Sequence, residues 1–115
     1  MELTYKDKGE FLRGFLILAK KDNDISVHER SMAMVVGKYF GFDDKFCEES
    51  IDNILENEYI SGAPPIFSNS KIAQFFVDEC TDIINQIDVV KENQRSWLQE
   101  TLEKNGLKTT IKIDN

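Results

Sequence analysis

Residues 22 to 29 read DNDISVHE and bring together two aspartates, a serine, the only histidine of the chain and a glutamate. Carboxylate oxygens are the ligands that hard divalent cations prefer. Asp22, Asp24 and Glu29 are therefore candidate metal ligands. The stretch lies between two apolar segments with helical spacing, so the predicted site is an acidic loop between two helices.

The beginning of this loop is similar to a calcium-binding EF-hand loop, because Asp22, Asp24 and Ser26 place oxygens at its first, third and fifth positions. The remainder departs from that pattern. The sixth position is Val27 rather than glycine, and the twelfth is Ala33 rather than glutamate. A cation here would need further oxygens from backbone carbonyls, water or other parts of the chain. We therefore expect at most a weak, hydrated divalent-cation site, and no other cofactor.

A purely structural interpretation explains the same residues. Ser26 and Glu29 have the spacing of a capping box, in which the serine side chain and the glutamate side chain each accept a hydrogen bond from the other residue's backbone N–H. Asp22 and Asp24 are also favoured in the turn before a helix. The capping interpretation accounts for Glu29 without any metal, and both interpretations stay open at this point.

Catalysis fits the loop poorly. A general acid requires a carboxyl group in an apolar pocket that raises its pKa, whereas this loop is polar. The sequence has no phosphate-binding loop, nucleophile elbow or HExxH motif. Cys47 and Cys80 lack metal-ligand spacing, and we expect them to be reduced thiols at half-buried helix positions. The sequence predicts a protein that is not an enzyme.

Length and charge limit the functional classes further. The 115 residues, of which 41% are hydrophobic, suffice for one domain with one core. The net charge of -7 argues against nucleic-acid binding, which needs a basic face, and favours cations or other proteins as partners. The sequence contains no apolar run of membrane-spanning length and no secretory signal pattern at its start. We expect a cytoplasmic protein, with peripheral association to a membrane complex left open.

Hydrophobic periodicity predicts an all-α fold, a single compact domain of about five to seven helices. The periodic segments span residues 6–20, 27–40, 44–58, 70–87 and 90–105. Short connections predict antiparallel neighbours, and no pair of strands is evident. The helical core covers about residues 8–107 within a single domain of residues 1–115, and 108–115 form a tail.

The apolar stripes of these helices are best interpreted as core. The clearest stripe, in the second predicted helix, consists of Met32, Val35, Val36, Tyr39 and Phe40. In the loop SGAPPIFSNS, we expect Ile66 and Phe67 to pack back onto the core. Met34 and this proline-containing loop are alternative candidates for an exposed partner surface, although packing is favoured.

The pattern of helix, short loop, helix and glycine occurs twice, in residues 10–42 and 72–107, which suggests a weak internal pseudo-two-fold repeat. When the closing glycines are matched, Glu29 falls on Gln94. When the loops are matched instead, Glu29 falls on Glu92. In both registers the second copy lacks most of the carboxylates of the first.

The run FLILAKKDNDISVHERSMAMVVGKYFGF resembles the first half of TerB-like domains, the tellurite-resistance family. Asp22, Ile25 and Glu29 stand at the positions of the family's D-x-x-I-x-x-x-E loop. The segments FFVDE and SWLQETLEKNGL resemble the second repeat, and the resemblance covers about residues 8–107. It implies an all-α fold with internal pseudo-symmetry, a cytoplasmic stress or tellurite-resistance role and a divalent-metal role for the acidic loop. Related domains accompany membrane-linked co-chaperones.

This chain departs from the family in two places. Asn23 stands where many members have glycine, and the second repeat has no clear acidic loop. We therefore predict a non-enzymatic TerB-like interaction or adaptor domain with an unidentified protein partner and weak divalent-metal binding at Asp22, Asp24 and Glu29. The alternative is a metal-dependent stress sensor, and a small enzyme is a distant third.

Overall fold

The structure is a computed structural model and describes residues 2–21, 27–56, 61–87 and 89–108. Five α-helices occur within these ranges, and no strand occurs there, so the predicted all-α fold is confirmed. In chain order the helices are α1 (Tyr5–Lys20), α2 (Val27–Tyr39), α3 (Asp44–Glu56), α4 (Ser70–Ile87) and α5 (Glu92–Lys104).

The helix bounds lie close to the predicted ones. The predicted third helix extends to residue 58, whereas α3 is helical to Glu56, and residues 57–60 lie outside the described ranges. The predicted fifth helix starts at residue 90, whereas α5 starts at Glu92. Val90 still contributes to the core, because its side chain is buried. Residues 109–115 of the predicted tail also lie outside the described ranges.

A reciprocal pair of hydrogen bonds starts α1. The backbone N–H of Asp7 donates to Thr4 Oγ1 at 3.0 Å, and the backbone N–H of Thr4 donates to Asp7 Oδ2 at 3.0 Å. These bonds satisfy donors that the first turn of a helix leaves unpaired, which is the capping-box arrangement. The helix therefore has a defined start at Tyr5.

Helix α1 is the central element. It contacts α2, α3 and α4, and its Phe15, Leu16 and Leu18 side chains are at most 1% exposed. Its wide apolar stripe makes this possible, since several faces of the helix are covered at once.

Helices α1 and α2 form an antiparallel pair, and so do α2 and α3. Near the start of α1, Phe11 meets Phe40 at the end of α2 with ring centroids 4.9 Å apart. Helix α2 then pairs with α3, where Arg30 Nη2 lies 2.6 Å from Asp52 Oδ1. Such neighbours are expected from short connections.

The same capping motif ends α2 and α5. Gly41 and Gly106 have positive φ angles of 84° and 82°. The N–H of the residue after each glycine reaches back to the last turn, from Phe42 to the carbonyl of Gly37 and from Leu107 to the carbonyl of Leu102. This is the Schellman arrangement, in which glycine accommodates the left-handed backbone. Gly41 and Gly106 therefore mark the ends of their helices.

Side chains from α1 and α5 fix the loop before α4. Trp97 Nε1 donates to the carbonyl of Gly62 at 2.9 Å, and Arg13 Nη1 donates to the carbonyl of Ala63 at 3.0 Å. The loop backbone thus finds its hydrogen-bond partners in the helices instead of in water, which orders a segment without secondary structure of its own.

Asn105, just after α5, positions the inner part of this loop. It accepts a hydrogen bond from the N–H of Phe67 and donates one to the carbonyl of Pro65, each at 2.9 Å. Phe67 is 7% exposed, as predicted, but the prediction for Ile66 is wrong, since it is 52% exposed. Because Asn105 holds the backbone at Pro65 and at Phe67, the Phe67 side chain points into the core and the Ile66 side chain between them points to solvent.

Two members of the α2 stripe also fall outside the core. Val36 is 8% exposed as predicted, but Val35 is 58% and Tyr39 is 77% exposed. The stripe is wider than the surface that α1 and α3 cover, so its edge remains uncovered. Met34 is partly buried against the core, in line with the favoured packing interpretation.

No helix in the described part of the chain is both long and apolar enough to cross a membrane. The longest, α4, has 18 residues and includes Asp78, Glu79 and Asp82.

Candidate functional site

Of the three predicted metal ligands, only Glu29 lies within the described residues. Asp22 and Asp24, with Ser26, lie outside the described residues, as does the side chain of His28. Glu29 lies in the first turn of α2 and is half-buried. Within the described ranges, no group of three or more histidine, cysteine, aspartate or glutamate side chains could hold a metal ion. The cation site at the acidic loop stays a prediction.

Gln94 shows what the position equivalent to Glu29 does in the second half of the chain. The N–H of Lys91 donates to Gln94 Oε1 at 3.0 Å, which caps the start of α5. Gln94 Nε2 also donates to the carbonyl of Leu18 at 3.2 Å, and the side chain is 2% exposed. Because Gln94 matches Glu29 when the closing glycines are matched, this geometry favours a capping role for Glu29.

An open apolar groove lies between α2 and α4. Its volume is about 320 Å³, near the lower end of the roughly 300–1,000 Å³ typical of ligand pockets. The lining residues come from α1, α2, α4 and the residue that follows α2. They are Phe11, Met32, Val35, Val36, Tyr39, Phe40, Phe75, Glu79 and Ile83.

Aromatic contacts hold the base of this groove in shape. Phe11 is 2% exposed and meets Phe40 edge to face, with ring centroids 4.9 Å apart. It also lies 5.8 Å from the ring of Phe75, measured between centroids. Such contacts add stabilisation beyond simple burial, so the groove is preformed rather than collapsed.

The rim of the groove is exposed and apolar on the α2 side and acidic on the α4 side. Val35 and Tyr39 form the α2 rim. Among the described residues, Glu79 is the one charged residue that lines the groove. An exposed tyrosine beside a preformed apolar groove is typical of protein-binding surfaces, where aromatic residues contribute strongly.

The buried carboxylate of Asp7 is a structural group. It accepts hydrogen bonds from the backbone N–H of Ser68 at 2.9 Å and from the Ser68 hydroxyl at 2.7 Å, in addition to the bond from Thr4. Burial raises the pKa of Asp7, but the hydrogen bonds from Ser68 and Thr4 outweigh it and leave the pKa below its ordinary value. A carboxylate held ionised in this way is unsuited to act as a general acid.

The two cysteines are also unsuited to chemistry. They are free thiols and fully buried rather than half-buried, with exposures of 1% for Cys47 and 0% for Cys80. Burial raises the pKa of Cys47, helped by Asp44 and Asp43, and burial raises the pKa of Cys80 well above its ordinary value. Since the thiolate is the reactive form, neither is an activated nucleophile.

Sequence reasoning missed two features that the structure reveals. Thr4 and Asp7 have capping-box spacing, so that part of the Asp7 site was visible in the sequence. The groove carries no such signal, because Val35 and Tyr39 belong to the same helical stripe as the buried Val36.

Comparison with known proteins does not assign this chain to a family. No family model, no curated protein and no solved structure matches it. The TerB-like resemblance stays a prediction that rests on the motif residues Asp22, Ile25 and Glu29.

Proposed function

We propose that this protein is a non-enzymatic interaction or adaptor domain that binds a segment of a partner protein in the α2–α4 groove. The observation that carries the proposal is the open apolar groove whose α2 rim, Val35 and Tyr39, is exposed to solvent. Leaving such surface in water costs free energy that a partner recovers on binding, at roughly 25 cal/mol for each Å² of apolar area buried.

The geometry of the groove supports a partner with side chains that insert. Phe11, Phe40 and Phe75 form a firm apolar base, and the rim residues can close around an inserted side chain. Binding residues that are already positioned lose little conformational entropy when the partner arrives. Three titratable groups also support a non-enzymatic role. Hydrogen bonds keep the Asp7 carboxylate ionised, and burial raises the pKa of the Cys47 and Cys80 thiols.

The TerB-like relationship, with a cytoplasmic stress or tellurite-resistance role, belongs to the same proposal. So does a weak divalent-cation site at Asp22, Asp24 and Glu29. The alternative function is a metal-dependent sensor. It is favoured by one observation, that Glu29 lies in the first turn of α2 while later turns of the same helix line the groove. A cation bound beside that turn could alter the groove through α2.

Selection from a random peptide library displayed on phage tests the interaction proposal without assuming a partner. The wild-type chain should enrich a set of related peptides. The variant Tyr39→Ser and the double variant V35S/Y39S should bind those peptides at least about tenfold more weakly, since rim contacts of this kind contribute on the order of 1.4 kcal/mol or more. Both positions are exposed, so little stability is lost.

Ile66→Ser is the matched control, because Ile66 is also an exposed aliphatic residue but lies outside the groove. It should bind the selected peptides as the wild type does. Enriched peptides that bind V35S/Y39S and wild type equally would overturn the assignment of the groove as the binding site. Failure to enrich any peptide would overturn the interaction proposal itself.

A further inference from the structure

We infer that the partner of the α2–α4 groove is a basic amphipathic helix, with apolar side chains on one face and lysine or arginine beside them. This inference rests on the proposed function, since it specifies what the groove binds. It combines the helical spacing of the groove walls with the charge along its α4 edge.

The charge of the α4 edge is acidic. Glu79 lines the groove, and Asp78 and Asp82 are exposed three and seven positions after Phe75. Residues at these spacings lie on the same side of a helix. Lys71, four positions before Phe75, is the one basic residue on this side of α4. Three acidic groups thus follow the groove from its middle towards the end of α4.

The α2 edge offsets that charge only in part. Its rim consists of Val35 and Tyr39, with Lys38 exposed three positions after Val35, and no basic residue among those described lines the groove itself. The chain as a whole carries a net charge of -7. A cationic partner is therefore attracted both over a distance and at the rim, which raises its association rate and selects it over acidic competitors.

The groove walls have the spacing of helix-to-helix recognition. Val35 and Tyr39 on α2, and Phe75 and Glu79 on α4, are each four residues apart, about one helical turn. A helix lying along the groove presents its own side chains at the same interval. Apolar side chains at positions i, i+3 or i+4 and i+7 are how amphipathic helices fill such grooves.

A second copy of this chain is a poorer occupant. In a two-fold dimer built on this groove, both protomers use the same groove surface. Such a dimer brings two acidic α4 edges into one interface, and two chains of charge -7 repel each other as they approach. A basic helix meets the same surface without this cost.

Two synthetic helical peptides provide the test. Both carry the same leucine and phenylalanine face, and the flanking positions hold lysine in one and glutamate in the other. Their affinities for the full chain are measured by fluorescence anisotropy, and their sites by backbone amide shifts. The lysine peptide should bind at least about tenfold more tightly at low salt. The ratio should shrink as salt screens the exposed charges.

A charge-reversal double variant and its control test whether the preference for the lysine peptide arises at the α4 edge of the groove. The double variant E79K/D82K should reduce the affinity for the lysine peptide at least about tenfold and raise that for the glutamate peptide. The matched control E100K/E103K changes the net charge equally, but on exposed positions of α5. It should alter both affinities much less. Far-ultraviolet circular dichroism and thermal unfolding confirm that the variants are folded.

The outcomes together distinguish failure of the inference from failure of the function on which it rests. Equal binding of both peptides with amide shifts along α2 and α4 overturns the basic partner and leaves the docking groove in place. If E100K/E103K has the same effect as E79K/D82K, the preference belongs to net charge and the inference is wrong. Absence of shifts at the groove with either peptide contradicts both proposals. A dimer that Tyr39→Ser dissociates would identify a second copy as the occupant.

Discussion

Asp7 and Ser68 lie 61 positions apart in sequence and share two hydrogen bonds, from the Ser68 N–H at 2.9 Å and from its hydroxyl at 2.7 Å to the Asp7 carboxylate. The same carboxylate caps α1 through Thr4. One side chain thus joins the start of the central helix to the loop that leads into α4. This carboxylate is 2% exposed, so its hydrogen bonds replace those it would form with water.

Replacing Asp7 by asparagine should lower the free energy of unfolding by about 2 kcal/mol at pH 7, since charge-assisted hydrogen bonds are lost and an amide N–H₂ meets backbone donors. Urea unfolding followed by circular dichroism measures the change. Ser68→Ala should cost about 1 kcal/mol. Ser70→Ala, at the exposed first position of α4, is its control and should stay within about 0.5 kcal/mol of wild type. Equal losses from the two serine variants would contradict this assignment.

The lowered pKa of Asp7 determines how the stability of the fold changes with pH. Its ordinary value is 3.8, and burial, which raises the pKa, is outweighed by hydrogen bonds from Ser68 and Thr4. The stabilisation is therefore complete above the unfolded-state pKa and is lost as the pH falls through the folded-state pKa. The difference in the free energy of unfolding between wild type and Asp7→Asn should decrease below pH 3.8. A difference that is constant or increases from pH 7 to pH 3 would refute this account.

Two glycines of α1 should respond to alanine in opposite directions. A Cβ atom on Gly14 would lie 2.7 Å from Phe76 and 3.0 Å from Pro65, whereas none would lie within 4 Å at Gly9. Gly9→Ala should stabilise the protein by about 0.5–1 kcal/mol through helix propensity. Gly14→Ala should destabilise it by about 1–2 kcal/mol, because overpacking exceeds that gain. Thermal or urea unfolding of both variants is the measurement, and stabilisation by both would show that the α1 contact is loose.

Gly37 and Cys47 give a matching test between α2 and α3. A Cβ atom on Gly37 would overlap with Cys47 Sγ. Gly37→Ala should therefore destabilise the fold by about 1–3 kcal/mol. The double variant G37A/C47A should recover part of that loss, because the sulfur is removed. In a double-mutant cycle the coupling free energy should be at least about 0.5 kcal/mol, and additive effects would place the cause elsewhere.

We expect substitutions in the two halves of the acidic loop to affect stability differently. Ser26→Ala should cost about 1 kcal/mol if Ser26 and Glu29 cap α2. Asp22→Asn should leave stability nearly unchanged if Asp22 serves a cation or a partner. Titration with calcium, magnesium, zinc and manganese, followed by backbone amide shifts, should move residues 22–29 at millimolar cation. Shifts that are absent at that concentration would exclude the metal-dependent sensor.

The sequence was sufficient for the helices and much of the core, and insufficient for the groove. The 3.6-residue period located α1 to α5 because burial of one face is a local pattern along the chain. Which edge of that face stays uncovered depends on how α2 and α4 pack around α1. Val35 and Val36 are adjacent and chemically identical, yet 58% and 8% exposed. The sequence likewise does not show the partner of Asp7, because Ser68 lies 61 positions away in the loop before α4.

We propose the α2–α4 groove as the partner-binding surface. Backbone amide shifts of the full chain, recorded during titration with the tightest peptide from the displayed library, test it most directly. We predict the largest shifts at Met32, Val35, Tyr39, Phe75 and Glu79, and their loss in V35S/Y39S but not in Ile66→Ser. Largest shifts on α3 or α5, with the groove residues unchanged, would contradict the account.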